Sequence, residues 1–547
     1  MRKREFFKAK KIILAMSLDK NRSLYQNWYK PLKNLCKKLI LFDTRKNLLI
    51  QGQESMNKHL LELVEKEKPD YIFFYWTYDE VYLDTLIKIK ESSETTKTVN
   101  FFSDDDTQFE SFSRYHALFF DYNLMSQPNL VKNYKREGIK NVFLIYPLVN
   151  IEDFKPLNLK KIYDVTFIGA PKAQRYAFIK FLMNKGINIR LYGWGWDKYP
   201  EFKDIYHGPL DNSQLIKVIN QSKIVLSFSE NAYGQTHYKG RVYKIVACKS
   251  FVLEQYFSGH RNFFNKGELV MFKSKRDLLN KINYYLENDK EREKITERAY
   301  KKIVKKYNIN IQLRRFINKT LNKSVYHKEL PKLNKKIITL NERDFELSIK
   351  RIKEKVEDAD YISFSKDECN AHFLRDYLQA YSLQRTKKKI SCCSYYVYSK
   401  LVGNYMYFFI DDAYRKLSSK NFASCLNINQ LMVDKHYFIK NYTAFKKVFE
   451  GDEISFINEK NSVFVDIPLI QIKDVKIKDY KVMKEVFRFK FLYEIYSMLK
   501  QKSILKNKYS YLLIMDVLRG NISLLKFLIN AMMEQEKMKL VTGSRES

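Results

Sequence analysis

Short apolar runs alternate with amphipathic stretches over residues 10–325. Lys11–Met16 reads as a buried strand, Asn57–Lys66 places Leu60, Leu61 and Val64 on one helical face, and Asp70–Trp76 (DYIFFYW) is a second buried strand. Glu80–Lys90 reads as a helix and Thr98–Phe102 as a strand, closed by Ser103 and the acidic run Asp104, Asp105, Asp106. The pattern then repeats. Tyr163–Gly169 (YDVTFIG) is a strand that breaks at a glycine, Ala173–Asn184 a helix, and Ile187–Tyr192 a strand closed by Gly193-Trp194-Gly195-Trp196. Leu215–Asn220 is helical and Ile224–Phe228 is a strand. Such alternation implies parallel βαβ units with ligands at the strands' carboxyl ends. The expected fold class is α/β, with two Rossmann-like domains, 1–150 and 151–325, joined near Pro147–Pro156.

Beyond a polar linker at 326–335 the text changes. Residues 336–480 predict a smaller α/β module, with a strand at Lys336–Leu340, a helix at Arg343–Lys355 and an apolar run at Ala359–Lys366. Phe373, Leu374, Tyr377 and Leu378 then fall in helical step. Residues 481–547 predict a basic tail, helical to about 535, with Phe487, Phe489, Phe491, Tyr493 and Tyr496 on an aromatic face.

Composition narrows the partners. The 547 residues carry a formal charge of +37, with 99 Lys and Arg against 62 Asp and Glu, so anionic partners are favoured: nucleic acid, anionic lipid or nucleotide-linked substrates. The lysines are spread along the chain, and no helix-turn-helix, zinc-finger or RNP-like text occurs, so no specific nucleic-acid partner is expected. Six cysteines lack CxxC spacing, which predicts reduced thiols. The apolar run Ile12–Met16 is too short for a signal-peptide core, and no uncharged run is long enough to span a bilayer. The expected location is cytoplasmic, where charge would allow peripheral contact with the inner membrane face.

The chemistry concentrates in residues 237–289. Lys239, Gly240 and Arg241 form a basic, glycine-broken turn that opens a helix, and a strand at Ser250–Leu253 ends at Glu254. A cationic turn at a helix N-terminus suits a diphosphate, because free N–H groups and the positive dipole end favour an anion there. Gly169, with Ala170 and Pro171, would let backbone N–H groups approach a phosphate, and Arg175 follows one turn later.

This order of elements resembles the donor half of a GT-B glycosyltransferase. More narrowly it resembles the CgeB-like (spore-maturation-type) family, whose usual run, KGRxFEIxACGxFLLTE, reads here KGRVYKIVACKSFVLEQ. The resemblance implies a nucleotide-diphosphate sugar as donor, a surface-glycan precursor or a protein as acceptor, and no metal or other cofactor. It makes Lys239, Arg241, Gly169 and Arg175 the donor phosphate site, and Glu254 an acceptor of hydrogen bonds from sugar or ribose hydroxyls. Asn231 would border the sugar and His207 would face the base. Asp104 and Asp105 would act on the acceptor side, one as general base. The chain departs from the family at Tyr243-Lys244-Ile245, where the family run has FEI, and at Lys249, where it has glycine. Tyr243 and Lys244 would then stand at the nucleotide or sugar, where a lysine can donate to ribose but does not reproduce a carboxylate's bidentate grip. This leaves the nucleotide open, and it admits a non-catalytic glycan- or partner-binding protein as the alternative. The 336–480 module resembles the middle of a family-2, GT-A glycosyltransferase. Its metal-binding DxD position reads Ser365-Lys366-Asp367-Glu368-Cys369, as expected of a degenerate remnant.

Overall fold

The computed structural model describes residues 9–472 except 17, 19–22, 77–80, 103–104, 147–148, 173, 231–235, 324–329, 367–368, 400–403, 409–421 and 424–425. The predicted tail at 481–547, Asp104 and Asn231 lie outside the described residues.

The first sheet contains β1 (Ala9–Met16), β2 (Cys36–Asp43), β3 (Tyr71–Trp76), β4 (Lys97–Phe102), β5 (Tyr122–Met125) and β6 (Val142–Leu144), in the order β2-β1-β3-β4-β5-β6. The second contains β7 (Tyr163–Ile168), β8 (Ile189–Tyr192), β9 (Ser222–Ser227), β10 (Phe251–Gln255) and β11 (Val270–Phe272), in the order β11-β10-β9-β7-β8. Every pairing in both sheets is parallel. Continuous apolar text explains this, since a parallel strand is covered by helices on both faces. These are the two Rossmann-like units that the sequence predicts. β2 was not predicted, because CKKLILFD mixes charge into an otherwise apolar run.

The first sheet is covered on one face by Trp28 and Leu32 of the Ser23–Leu35 helix and by Leu313, Phe316 and Ile317 of the Ile309–Thr320 helix. The chain thus returns to its first domain after finishing the second, and Tyr71 shares a 2.9 Å hydrogen bond with Thr320. This corrects the boundary drawn at 151–325, because an amphipathic helix has no local signal for which sheet it covers. The return also brings carboxyl-end loops of the two sheets together. Gln127, just after β5, pairs with both backbone groups of Tyr238, beyond β9: its Oε1 accepts at 3.2 Å and its Nε2 donates at 3.4 Å.

The third sheet contains β12 (Ile337–Asn341), β13 (Tyr361–Ser365), β14 (Asn370–Ala371), β15 (Ile390–Ser399), β16 (Asn404–Phe408), β17 (Leu431–Asp434) and β18 (Ser462–Ile472). Its order is β12-β13-β17-β15-β18-β14, with β16 on β15, and its pairings are mixed. It is not a free-standing module. Leu378, Tyr381, Ile467 and Leu469 share one core with Leu60, Val64, Leu86, Tyr115 and Tyr134 of the first domain. Polar links fasten the same contact: Tyr381 Oη donates to Glu137, and His372 Nε2 meets Asp84 at 2.7 Å. The predicted helix at Arg343–Lys355 is broken into a 3-10 turn, Glu342–Glu346, and a helix, Ile349–Lys355. Ser348 caps the second piece by accepting from the Arg351 N–H, the role in which serine competes with helix continuation. No described helix is long and apolar enough to cross a membrane.

Candidate functional site

From β7 the chain moves to one side for β8 and to the other for β9, so the carboxyl ends of β7 and β9 frame the crevice where such sheets take ligands. Gly169 sits at this point. Its N–H donates to the Tyr192 carbonyl at 2.7 Å, and its own carbonyl accepts from the Trp196 indole at 2.6 Å. A Cβ added to Gly169 would lie 2.6 Å from Arg241 Nη2. One added to Gly193 (φ +118) would lie 2.8 Å from the Gly169 carbonyl carbon. Glycine at both positions is what lets two backbones and a guanidinium converge. It also explains the Gly193–Trp196 run: Trp196 is buried as the clamp on Gly169, while Trp194 faces solvent.

Arg241 is the second residue of the Gly240–Ala247 helix, whose N-cap, Lys239, is extended and makes no side-chain capping bond. A Cβ on Gly240 would meet nothing within 4 Å, so this N-terminus opens onto free space. The Arg241 guanidinium lies 5.3 Å from the centre of the Phe167 ring, and the Arg175 guanidinium lies 6.0 Å from the same ring. Arg175 is held by donation to the Ala170 carbonyl (3.1 Å) and the Glu230 carbonyl (3.3 Å). Arg241 has no such anchor, and its Nη1 is shut from solvent without an acceptor among the described residues. Burial, then the neighbouring Arg175, pushes Arg241 down to about 10 against the pull of Glu254. Paired guanidiniums with a buried, unmatched donor form a ready anion site.

Glu254, at the end of β10, is fully buried. Its Oε1 accepts from the Ser229 hydroxyl, which also lies 3.2 Å from His260 Nε2. Its Oε2 has no donor among the described residues, nor does the buried Ser227 hydroxyl at the end of β9 have a partner. The crevice therefore holds one positive and one negative group with unused hydrogen-bonding capacity.

The remaining predicted residues divide. Lys244 stands one helical turn beyond Arg241. Its ammonium lies 5.0 Å from the Phe154 ring centre, and burial, then Arg241, pushes it down to about 8. Tyr243 is not a ligand group: it is fully buried against Tyr146 and Phe264, with its hydroxyl toward His260 Nδ1. Two positions from Arg241 on a helix is more than half a turn away, which sends Tyr243 into the core. Lys249 has φ +52, the left-handed conformation that glycine adopts most easily, and its ammonium pairs with Glu297 at 2.7 Å. His207 is exposed beyond β8, its ring 5.5 Å from that of Tyr192, with partial burial and Arg190 lowering its pKa. Asp105 is buried and accepts from the Tyr134 hydroxyl at 2.9 Å. This corrects its expected role, since a general base must reach an acceptor hydroxyl, and this side chain is packed inside its own domain. Trp196, Ser229, His260 and Gln127 were missed, because each acts through partners distant in sequence.

Residues 174–318 match the family model described as glycosyl transferase-like. No curated protein matches the chain. Among solved structures, a glycosyltransferase from Rickettsia africae is similar over 57% of this chain and 98% of its own, at 14% identity and a TM-score of 0.42. Anabaena HepE, in complex with UDP and glucose, is similar over 57% of this chain and 99% of its own, at 12% identity and a TM-score of 0.42. A sucrose-phosphate synthase from Thermosynechococcus elongatus is similar over 57% and 98%, at 11% identity and a TM-score of 0.41.

Proposed function

We propose that the protein is a glycosyltransferase that binds a nucleotide-diphosphate sugar in the β7–β10 crevice and passes the sugar to a surface-glycan precursor or a protein. The observation that carries this reading is the Arg241 guanidinium, with a buried donor unmatched among the described residues, beside Arg175, Gly169 and an open helix N-terminus. Arg241 and the first N–H groups of the Gly240–Ala247 helix would take the diphosphate and stabilise the charge that grows on it as the sugar leaves. Arg175, tied to two carbonyls, would hold the rim of the site. Glu254 Oε2 would accept from a sugar or ribose hydroxyl. The family-model match over 174–318 supports the same segment as the donor domain, and the run from Lys239 to Glu254 supports a CgeB-like variant of it. The high positive charge supports work beside anionic lipid or glycan.

A thermal-shift screen against UDP, GDP, CMP, dTDP and their common sugars tests the donor site. The expected result is a rise in Tm with one nucleotide, abolished in Arg241→Ala. No shift from a folded sample would overturn it. The burial of Asp105 favours a second reading, a glycan-binding protein that has kept the crevice. Nucleotide binding without sugar transfer to any acceptor would select that reading.

A further inference from the structure

At the amino ends of the second sheet, away from the crevice, a recess of about 690 Å³ lies between the starts of β7, β9 and β10 and the Asp289–Lys306 helix. Lys161, Lys223, Lys249, Lys290, Arg292 and Lys294 line it, against only Glu293 and Glu297. Some of this charge is matched: Lys223 pairs with Asp164 at 2.7 Å, Lys249 with Glu297 at 2.7 Å and Arg292 with Asp289 at 2.6 Å. Lys290 and Lys294 have no ion pair among the described residues, and Lys161 is drawn only to Glu293. Lys161 is exposed as a residue, and its ammonium donates to Ser250 Oγ at 3.2 Å. Burial of that end, then the charge of Arg292, pushes its pKa down to about 8.

Lysines on a convex surface point apart into water and cost nothing. Here three line one concavity beside Arg292. Such a cluster favours an anion of high charge density, and lysine is the point-charge partner of phosphate. We propose that this recess is a second anion site, separate from the donor crevice, which binds a phosphoryl group, either on a soluble oligophosphate or on a lipid headgroup.

The test uses the full chain and inorganic tripolyphosphate, followed by calorimetry. Arg241→Met closes the donor crevice to anions and is expected to leave one saturable tripolyphosphate site. The triple variant Lys161→Gln/Lys290→Gln/Lys294→Gln is expected to weaken that site by at least about tenfold. Lys290 and Lys294 are exposed, and the change at Lys161 removes an ammonium that burial disfavours, so its Tm should stay close to the parent's. Lys294→Glu alone should weaken binding in the same direction. Sedimentation with phosphatidylglycerol vesicles separates the sources. Lysine-dependent capture assigns a lipid headgroup, and tripolyphosphate binding without capture assigns a soluble phosphate. Equal tripolyphosphate affinity in parent and triple variant, or loss of all binding with Arg241→Met alone, would overturn the proposal.

Discussion

The carboxyl ends of β10 and β13 look alike in sequence, each an apolar run closing on a charged side chain, yet they are finished in opposite ways. Beyond β13, Lys366 spends every group it has. Its N–H donates to Asn429 Oδ1 at 2.6 Å, its carbonyl accepts from Asn429 Nδ2 at 2.7 Å, and its ammonium donates to the Phe449 carbonyl and lies 3.6 Å from Glu342. At β10, Glu254 Oε2 has no donor among the described residues, and Nη1 of Arg241 across the crevice has no acceptor among them. An unmatched buried polar group costs about 1–3 kcal/mol. A fold that sets two of opposite sign across one crevice, one at a strand end and one at a helix start, is held open for a ligand that completes them, whereas a strand end with everything paired is scaffold.

The strongest way to break this contrast is Arg241→Met, which keeps most of the volume and removes the charge. Loss of charge-assisted hydrogen bonds to a diphosphate is expected to weaken donor binding by about a hundredfold. Tm should hold or rise, because the variant relieves Arg175 of a like charge. A large fall in Tm with donor affinity intact would show that Arg241 is structural.

A second test concerns the cation one turn away. Lys244 titrates at about 8 in the fold against 10.5 in the free side chain. Between those values the unfolded chain holds the proton and the folded chain does not. Stability should therefore rise as pH goes from about 8 to about 10.5, with the full penalty present below 8. Lys244→Met should stabilise the protein by roughly 2 kcal/mol at neutral pH and by little above pH 10.5, as read by urea unfolding. A difference that does not change with pH would show that the ammonium is solvated.

A smaller effect is expected from Gly169→Ala. The new methyl would lie 2.6 Å from Arg241 Nη2 and 3.1 Å from the edge of Phe167, and φ +159 strains any side chain there, so Arg241 should be displaced at some cost to the fold. Donor affinity should drop about tenfold, with Tm lowered but the protein still folded. Unaltered affinity would mean that the guanidinium does not need its present position.

These tests also mark what a sequence can and cannot carry. Gly169, Arg175, Arg241 and Glu254 all lie at strand or helix ends, which local text reveals, and the fold brings them together. Asp105 looked catalytic because an acidic run after a strand is a local pattern. Its fate was decided by Tyr134, a partner 29 residues on. Tyr243 was misplaced for a simpler reason, since helical phase relative to Arg241 already separated the two. The recrossing of Ile309–Thr320 and the shared core that absorbs Leu378 and Tyr381 depend on contacts hundreds of residues apart, and no periodicity encodes them.

The gentlest test sits on the other side of the comparison. If β13 is scaffold, Lys366→Met should cost about 1 kcal/mol, the worth of one net hydrogen bond and a partly exposed ion pair, and should leave donor binding untouched. The bond to the Phe449 carbonyl ties the end of β13 to the Tyr442–Glu450 helix, so the loss should appear as faster amide exchange in that helix. The two strand ends would then separate cleanly, one changing stability without affinity and the other affinity without stability. A fall in donor or acceptor affinity with Lys366→Met would instead make the third sheet part of the working site, and the rule that fully paired strand ends are scaffold would fail in this protein.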